Sequence, residues 1–113
     1  MPIQIFGTSK CHHTRAALRF FKERRVAIHF VDLGEKELSA GEFESVRRAA
    51  GLENMIDREG KEFARQGLQY QRFDIEAVLK RNPGLLKTPI VRNGKLATTG
   101  LQPEVWKQWL VFP

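Results

Sequence analysis

The chain has a single cysteine, a single tyrosine and no long hydrophobic run among its 113 residues. One cysteine excludes an internal disulfide framework. No stretch approaches the roughly 18 consecutive apolar residues that a membrane helix needs. Residues 1–4 lack the cationic start and apolar core of a signal peptide. We therefore expect a protein of the reducing cytoplasm with no membrane partner.

The excess of basic residues is spread along the chain rather than concentrated. The sequence has 19 Lys and Arg against 13 Asp and Glu, a formal net charge of +6. No long basic run and few interleaved aromatic residues accompany this charge, so we do not expect nucleic acid as a partner. A basic surface that attracts anionic small molecules explains the charge equally well. The length and the 42% hydrophobic content predict one domain, residues 1–113, with a single modest core.

The first 25 residues predict a strand, a turn and a helix, with Cys11 between turn and helix. Ile3–Phe6 form the apolar strand, and the helix is predicted from about Thr14 to Arg25. A cysteine at the start of a helix faces unpaired backbone N–H groups and the positive end of the helix dipole. Both favour the thiolate, which is the nucleophilic form. Thr14 falls on the same helical face and can donate its hydroxyl hydrogen to the sulfur.

Two other interpretations apply to a lone cysteine. It is commonly a small buried hydrophobic residue, but the residues around this one are polar and cationic: Lys10, His12, His13 and Arg15. A metal site formed by Cys11, His12 and His13 is disfavoured, because three adjacent residues rarely point at one ion and the sequence offers no second group of ligands. We therefore interpret Cys11 as a reactive thiol.

The middle of the chain predicts one more strand and then a helical region. Residues 26–33 are apolar and rich in β-branched side chains, which predicts a second strand, parallel to the first and buried on both faces. Residues from about 38 to 82 are predicted to form an inserted helical subdomain. In it, Ser39 and Glu42 form a capping box, and Asp74 is predicted to cap a later helix.

The last third of the chain predicts a β-hairpin and a closing helix. Asn93-Gly94 is a signal for a type I′ turn between two β-rich runs, and Gln102–Glu104 open the final helix. Trp106 and Trp109 on that helix are interpreted as core residues rather than as a ligand platform. The order strand, helix, strand, helical region, hairpin and helix predicts an α/β fold of the thioredoxin-like type. Such a fold has a mixed four-stranded sheet with helices on both faces.

Thr88-Pro89 precedes the first strand of this hairpin. A proline at a strand start gives up one hydrogen bond of the ladder. If the peptide bond is cis, Thr88 turns its backbone groups outward, where an extended thiol peptide can pair with them. An ordinary trans proline at a strand start is the alternative. The sequence leaves both open.

Together these residues resemble a known family. The first strand, the spacing Gly7-x-x-x-Cys11, the helix and the run Thr-Pro-Ile-Val-Arg-Asn-Gly-Lys at residues 88–95 are similar to the arsenate reductase-like (ArsC/Spx-type) family. That family is a glutaredoxin-related branch of the thioredoxin-like superfamily, and the resemblance covers essentially the whole chain. It implies that Cys11 attacks an oxyanion or a disulfide without a bound cofactor. It also implies that glutathione, as co-substrate, or a glutaredoxin resolves the adduct.

The residues and the resemblance together define a candidate site. Its catalytic residues are Cys11, Thr14 and Arg15. Its substrate-binding residues are Lys10, His12, Thr88, Pro89 and Arg92, with Pro89 matching the cis-proline of the family. No metal site is expected.

The chain departs from the arsenate-reducing members, which hold the oxyanion with three arginines. Asp57 stands where the first is expected, although Arg58 is adjacent, and Thr88 replaces the second. Residues 100–103, Gly-Leu-Gln-Pro, contain no third arginine. An oxyanion without a bidentate guanidinium lacks its strongest charge-assisted contacts. We therefore do not expect efficient arsenate reduction.

Two hypotheses of function remain. In the first, the chain is a thiol-dependent oxidoreductase with Cys11 as its sole nucleophile. In the second, it is a non-catalytic, Spx-like regulatory or interaction module that binds a protein partner. The Cys-x-x-Cys disulfide switch of Spx-type members is excluded in either case, because position 14 is threonine.

Overall fold

The computed structural model describes residues 2–110 as a four-stranded mixed sheet with helices on both faces. The strands are β1 (Ile3–Gly7), β2 (Ile28–Asp32), β3 (Ile90–Asn93) and β4 (Leu96–Thr99). Their order across the sheet is β2-β1-β3-β4. β1 runs parallel to β2 and antiparallel to β3, and β3 runs antiparallel to β4. The predicted fold class is confirmed.

Helices connect and cover the strands. They are α1 (His12–Glu23), α2 (Ala40–Ala50), α3 (Leu52–Met55), α4 (Lys61–Arg65), α5 (Ile75–Arg81) and α6 (Pro103–Trp109), with 3-10 turns at Leu68–Tyr70 and Pro83–Leu85. Four of these helices, α2 to α5, occupy the chain between β2 and β3. None of the helices in residues 2–110 is long and apolar enough to cross a membrane.

Two cores lie on opposite faces of the sheet, because successive side chains of a strand point to opposite sides. On one face, Phe6 packs with apolar residues of α2 to α5. On the other, Ile5 packs with residues of α1 and α6. Trp106 of α6 is fully buried there and donates its indole N–H to Thr98 Oγ1 at 2.8 Å. The interpretation of Trp106 as a core residue is confirmed, and Trp109 packs at the margin of the same core.

The expectation that the second strand is buried on both faces is wrong. β2 lies at the edge of the sheet, since β3 occupies the other side of β1. His29 is exposed and Val31 is the one buried residue of the strand. The prediction of a strand from the β-branched residues is confirmed. The prediction that this strand pairs in parallel with β1 is confirmed as well.

The hairpin turn lies one residue later than predicted. Asn93 pairs with Leu96, so the two central residues of the turn are Gly94 and Lys95. Gly94 has a positive φ of 60°, while Lys95 is not among the residues with positive φ. A type I′ turn requires positive φ at both central residues. The type I′ assignment is therefore wrong, because the glycine takes the first central position and not the second.

The capping box of α2 makes a first prediction. The Ser39 hydroxyl accepts the Glu42 N–H at 3.1 Å, and the Glu42 carboxylate accepts the Ser39 N–H at 2.8 Å. We expect Ser39→Ala to lower the free energy of unfolding by about 1 kcal/mol, measured by urea denaturation, because helix donors lose their acceptor. Ser45→Ala, the same change inside α2, is the control and is expected to be neutral or slightly stabilising. Equal losses in both variants would contradict the cap.

Candidate active site

Cys11 is the N-cap residue of α1 and lies just beyond the end of β1. The tight turn between them is closed by the Cys11 N–H, which donates to the Thr8 carbonyl at 3.1 Å. The helix begins at His12, two residues before the predicted start, and ends at Glu23 rather than Arg25. The early start matters because it brings the first backbone N–H groups of the helix to the sulfur.

Thr88 contacts the sulfur from a distant part of the chain. Its hydroxyl donates to Cys11 Sγ at 3.0 Å, and its carbonyl lies 3.8 Å from the same sulfur as an acceptor for the thiol. The two residues are 77 positions apart. They meet because β3 pairs with β1 next to the site, with Ile90 opposite Phe6. The Thr88–Pro89 peptide bond is cis, the conformation that the sequence left open.

The surroundings of Cys11 favour its charged form. Partial burial raises the pKa of the thiol. The hydroxyls of Thr14 and Thr88 and the backbone N–H groups of Thr14 and His13 outweigh this effect, so the pKa of Cys11 lies below its ordinary value. Hydrogen bonds offered to a charged form stabilise it. Cys11 is also partly accessible to solvent, as reactive cysteines are.

Thr14 carries an unusual buried hydroxyl. The residue is fully buried, and its Oγ1 has no hydrogen-bond partner within residues 2–110. A buried polar group without a partner costs about 1–3 kcal/mol. The hydroxyl is nevertheless placed to lower the pKa of Cys11. A negative charge on the Cys11 sulfur is stabilised by this nearby hydroxyl more than a neutral thiol is, which is why Thr14 favours the thiolate.

Gly7 makes room for Thr14. A Cβ at position 7 would overlap Thr14 Oγ1 and would lie 2.7 Å from Thr14 Cγ2, well inside van der Waals contact. Glycine is therefore needed for the close approach of β1 to α1. In the sequence Gly7 stands out only as part of the Gly-x-x-x-Cys spacing, and its packing against Thr14 was not predicted.

The basic residues around Cys11 lie at the rim of the site. Lys10 and His12 are exposed. Arg15 is exposed as well, and its Nη1 donates to the Ser9 carbonyl at 2.8 Å, which ties the first turn of α1 to the loop before it. Arg15 makes no contact with the sulfur among the described residues. Roles for Lys10, His12 and Arg15 toward a substrate stay predictions.

Arg92 does not belong to this group. It pairs with Gln4 in the sheet, and its Nη1 donates to Gln4 Oε1 at 2.9 Å. Cys11 follows the opposite end of β1, beyond Gly7, which is roughly 10 Å of strand from Gln4 at the usual rise per residue. The expectation that Arg92 binds substrate beside the thiol is wrong, because the antiparallel course of β3 carries the chain away from the site.

The two residues at the expected position of the first arginine have other contacts. Asp57 accepts the Glu59 N–H at 3.1 Å. The Arg58 guanidinium donates to Glu53 at 3.1 Å and lies 5.6 Å from the centre of the Phe73 ring. Arg58 therefore forms its ion pair within the helical region.

Residues 2–110 contain no group of three His, Cys, Asp or Glu side chains placed to hold a metal ion.

The unpartnered Thr14 hydroxyl makes a second prediction. Thr14→Val keeps the shape of the side chain and removes the hydroxyl. We expect a higher pKa for Cys11 and slower alkylation at neutral pH. We also expect a free energy of unfolding about 1 kcal/mol higher in acid, where the thiol leaves the hydroxyl unpaired.

Thr99→Val is the matched control for this variant. Thr99 is also buried, but its hydroxyl donates to the Asn54 carbonyl at 2.5 Å. The same change there is expected to lower stability and to leave Cys11 alkylation unchanged. Wild-type alkylation rates in the Thr14 variant would contradict the role assigned to the hydroxyl.

Comparisons with solved structures show the same fold at low sequence identity. The YffB (PA3664) protein has a TM-score of 0.84 and 18% identity, covering 96% of this chain and 99% of that chain. An ArsC family-related protein from Bacteroides fragilis has a TM-score of 0.81 and 17% identity, covering 96% and 98%. An arsenate reductase from Vibrio cholerae has a TM-score of 0.79 and 21% identity, covering 97% and 98%.

Sequence comparisons identify the family. No curated protein matches the chain significantly. The model of the ArsC family matches residues 6–109, which include the cysteine loop, the helical region and the hairpin. The chain therefore belongs to the ArsC family, a membership that supports a thiol-dependent redox function.

Proposed function

We propose that the protein is an oxidoreductase acting on disulfides, with Cys11 as its sole nucleophile and an external thiol such as glutathione as the resolving agent. One observation carries this proposal. The Cys11 sulfur accepts the Thr88 hydroxyl at 3.0 Å, and its pKa is lowered by hydroxyls and helix N–H groups while it stays open to solvent. Reactive cysteines have such surroundings, whereas structural cysteines are buried and inert.

The proposed reaction has two exchanges. The Cys11 thiolate attacks one sulfur of a glutathione mixed disulfide, a Cys11–glutathione disulfide forms, and the other sulfur leaves as a thiolate that takes a proton from solvent. A glutathione thiolate then attacks the adduct, which releases glutathione disulfide and restores the Cys11 thiolate. The sulfur of the incoming glutathione is oxidised from thiol to disulfide, the glutathione sulfur taken from the substrate stays at the disulfide level, and the substrate sulfur is reduced to a thiol. The electrons therefore balance without a cofactor.

An external thiol is needed because the chain has no other cysteine. Thr14 stands where a dithiol site would place its second sulfur, and its hydroxyl stabilises a thiolate but cannot resolve a disulfide. A glutaredoxin-type thiol is the alternative resolving agent. Both thiols are abundant in the reducing cytoplasm, where we place the protein.

The roles of the remaining residues follow from their positions. Thr88 contacts the sulfur and, together with the cis peptide bond to Pro89, positions the thiol part of the substrate. Lys10 and His12 are exposed near the sulfur, where the charge of Lys10 and the ring N–H of His12 suit the carboxylates of glutathione. Arg15 holds the loop through the Ser9 carbonyl. The Arg58 guanidinium contacts Glu53 and Phe73 instead of the sulfur. Because arsenate would need a guanidinium at the thiol, this arrangement favours a disulfide as the substrate.

The test uses the mixed disulfide of glutathione and 2-mercaptoethanol. Mass spectrometry is expected to detect one glutathione on the protein after substrate alone and none after excess glutathione. Steady-state turnover is expected to show ping-pong kinetics. If only a glutaredoxin, and not glutathione, removes the adduct, the glutaredoxin is the resolving agent. Absence of any adduct would refute the enzyme proposal and favour the interaction module.

A further inference from the structure

A cavity with basic residues in its lining lies at the end of the sheet remote from Cys11. Its volume is about 480 Å³, and it is lined by Pro2, Gln4, His29, Arg92, Gly94 and Lys95. In the strand register Gln4 stands opposite both His29 and Arg92. These three side chains therefore share one face of three adjacent strands, at the end of β1 where the chain enters the sheet. The hairpin turn adds Lys95 beside them.

The Arg92 guanidinium in this cavity is only partly satisfied. Nη1 donates to Gln4 Oε1 at 2.9 Å, but Nε is buried and has no hydrogen-bond partner within residues 2–110. A guanidinium offers five N–H donors in a planar fork. A buried donor left without an acceptor is costly, and the chain therefore leaves most of the hydrogen-bonding capacity of this guanidinium unused.

The charges of the cavity select the class of acceptor. Its lining includes the cationic side chains of Arg92 and Lys95 and no carboxylate. None of the ion pairs formed by residues 2–110 involves Arg92 or Lys95. Because Nε is buried, an anion from the cavity reaches the guanidinium at its outer end, where the N–H donors of Nη1 and Nη2 match two oxygens of a phosphate or carboxylate.

We propose that this cavity is an anion-binding site for a small molecule that carries a phosphate or carboxylate group. Arg92 binds the anion in a bidentate manner, Gln4 fixes the guanidinium plane, and Lys95 adds charge from the turn. The volume exceeds that of a bare ion and falls within the range of small-molecule sites. The site is separate from the thiol, so the proposal does not depend on the reaction of Cys11.

The test is a titration with inorganic phosphate and, separately, with acetate, followed by backbone amide shifts in NMR spectra of the full chain. Saturable shifts are expected at Gln4, His29 and Lys95, with either anion or with both, and the stronger binder identifies the preferred group. Arg92→Gln is expected to weaken binding at least tenfold and Lys95→Gln about threefold. Lys61→Gln removes an exposed charge on α4 and is the control, expected to leave the affinity unchanged.

Several results would overturn the proposal. They are the absence of saturable shifts, shifts confined to residues 11–14 at the start of α1, and equal weakening in Arg92→Gln and Lys61→Gln. If Arg92→Gln fails to fold, Arg92→Lys keeps the charge and removes the fork. That variant is still expected to weaken binding, and unchanged affinity in it and in Lys95→Gln together would refute the site.

Discussion

Cys11→Ser is expected to abolish disulfide reduction and the glutathione adduct while the fold is retained. The serine hydroxyl is not ionised near neutral pH, so the first exchange has no nucleophile. Because the sequence contains no other cysteine, no second thiol can supply residual activity, and we expect turnover to fall to the uncatalysed rate. The assay is the mixed-disulfide turnover described above, with intact mass spectrometry for the adduct.

The control for this variant lies two residues earlier. Ser9 contributes its carbonyl to Arg15, so Ser9→Ala alters the same loop and keeps the thiol. It is expected to form the adduct and to turn over normally. Turnover by Cys11→Ser above the uncatalysed rate would contradict the assignment of the nucleophile. A serine variant that lost its folded circular dichroism spectrum would require Cys11→Ala to decide the point.

Gly7→Ala is expected to lower the free energy of unfolding by about 1–3 kcal/mol, the usual cost of overpacking. The added methyl group would overlap the Thr14 side chain, which is fully buried and cannot swing into solvent. Displacement of Thr14 also moves its hydroxyl away from Cys11, so slower alkylation at neutral pH should accompany the loss of stability. Urea denaturation and iodoacetamide kinetics measure the two effects.

Gly41→Ala is the matched control for Gly7→Ala. Gly41 lies in α2, and an added Cβ there meets no atom within 4 Å. Alanine is a better helix former than glycine, so this variant is expected to be neutral or stabilising by up to about 1 kcal/mol. Equal stability of the two variants would show that the absence of a Cβ at position 7 is not required for packing against Thr14.

A double variant separates the two effects of Gly7. Thr14→Ala removes Oγ1 and Cγ2, the two Thr14 atoms nearest to the new methyl group, so the loss caused by Gly7→Ala should be smaller in that background. Contacting residues show such coupling in double-mutant cycles. Alkylation should stay slow in the double variant, since the hydroxyl is absent. Additive losses of stability would place the cost of Gly7→Ala elsewhere.

Local signals in the sequence predict much of the fold. The capping box of Ser39 and Glu42, the cap by Asp74 and the parallel pairing of β1 with β2 all follow from short-range patterns. The edge position of β2 depends instead on where β3 inserts, and a pattern of apolar residues does not specify that. The position of the hairpin turn depends on the register between β3 and β4, and the observed turn lies one residue later than the predicted one.

The site divides in the same way. Cys11 and Thr14 are neighbours on one helix turn, so their relation is visible in the sequence. The contact of Thr88 with the sulfur was not predicted, because it depends on sheet pairing across 77 positions; the sequence assigned Thr88 only to substrate binding. The register also explains the error on Arg92, which lies close to Pro89 in sequence but beside Gln4 in the fold.

The pH dependence of Cys11 alkylation is the most direct test of the account. The rate follows the thiolate fraction, so it rises with pH and levels off above the pKa of the thiol. The same chain unfolded in urea serves as the reference, with an ordinary thiol pKa of about 8.5. Because the folded pKa is lowered, the folded protein should reach its plateau at a lower pH than the unfolded chain. A folded profile at or above the unfolded one would contradict the assignment of Cys11 as an activated nucleophile.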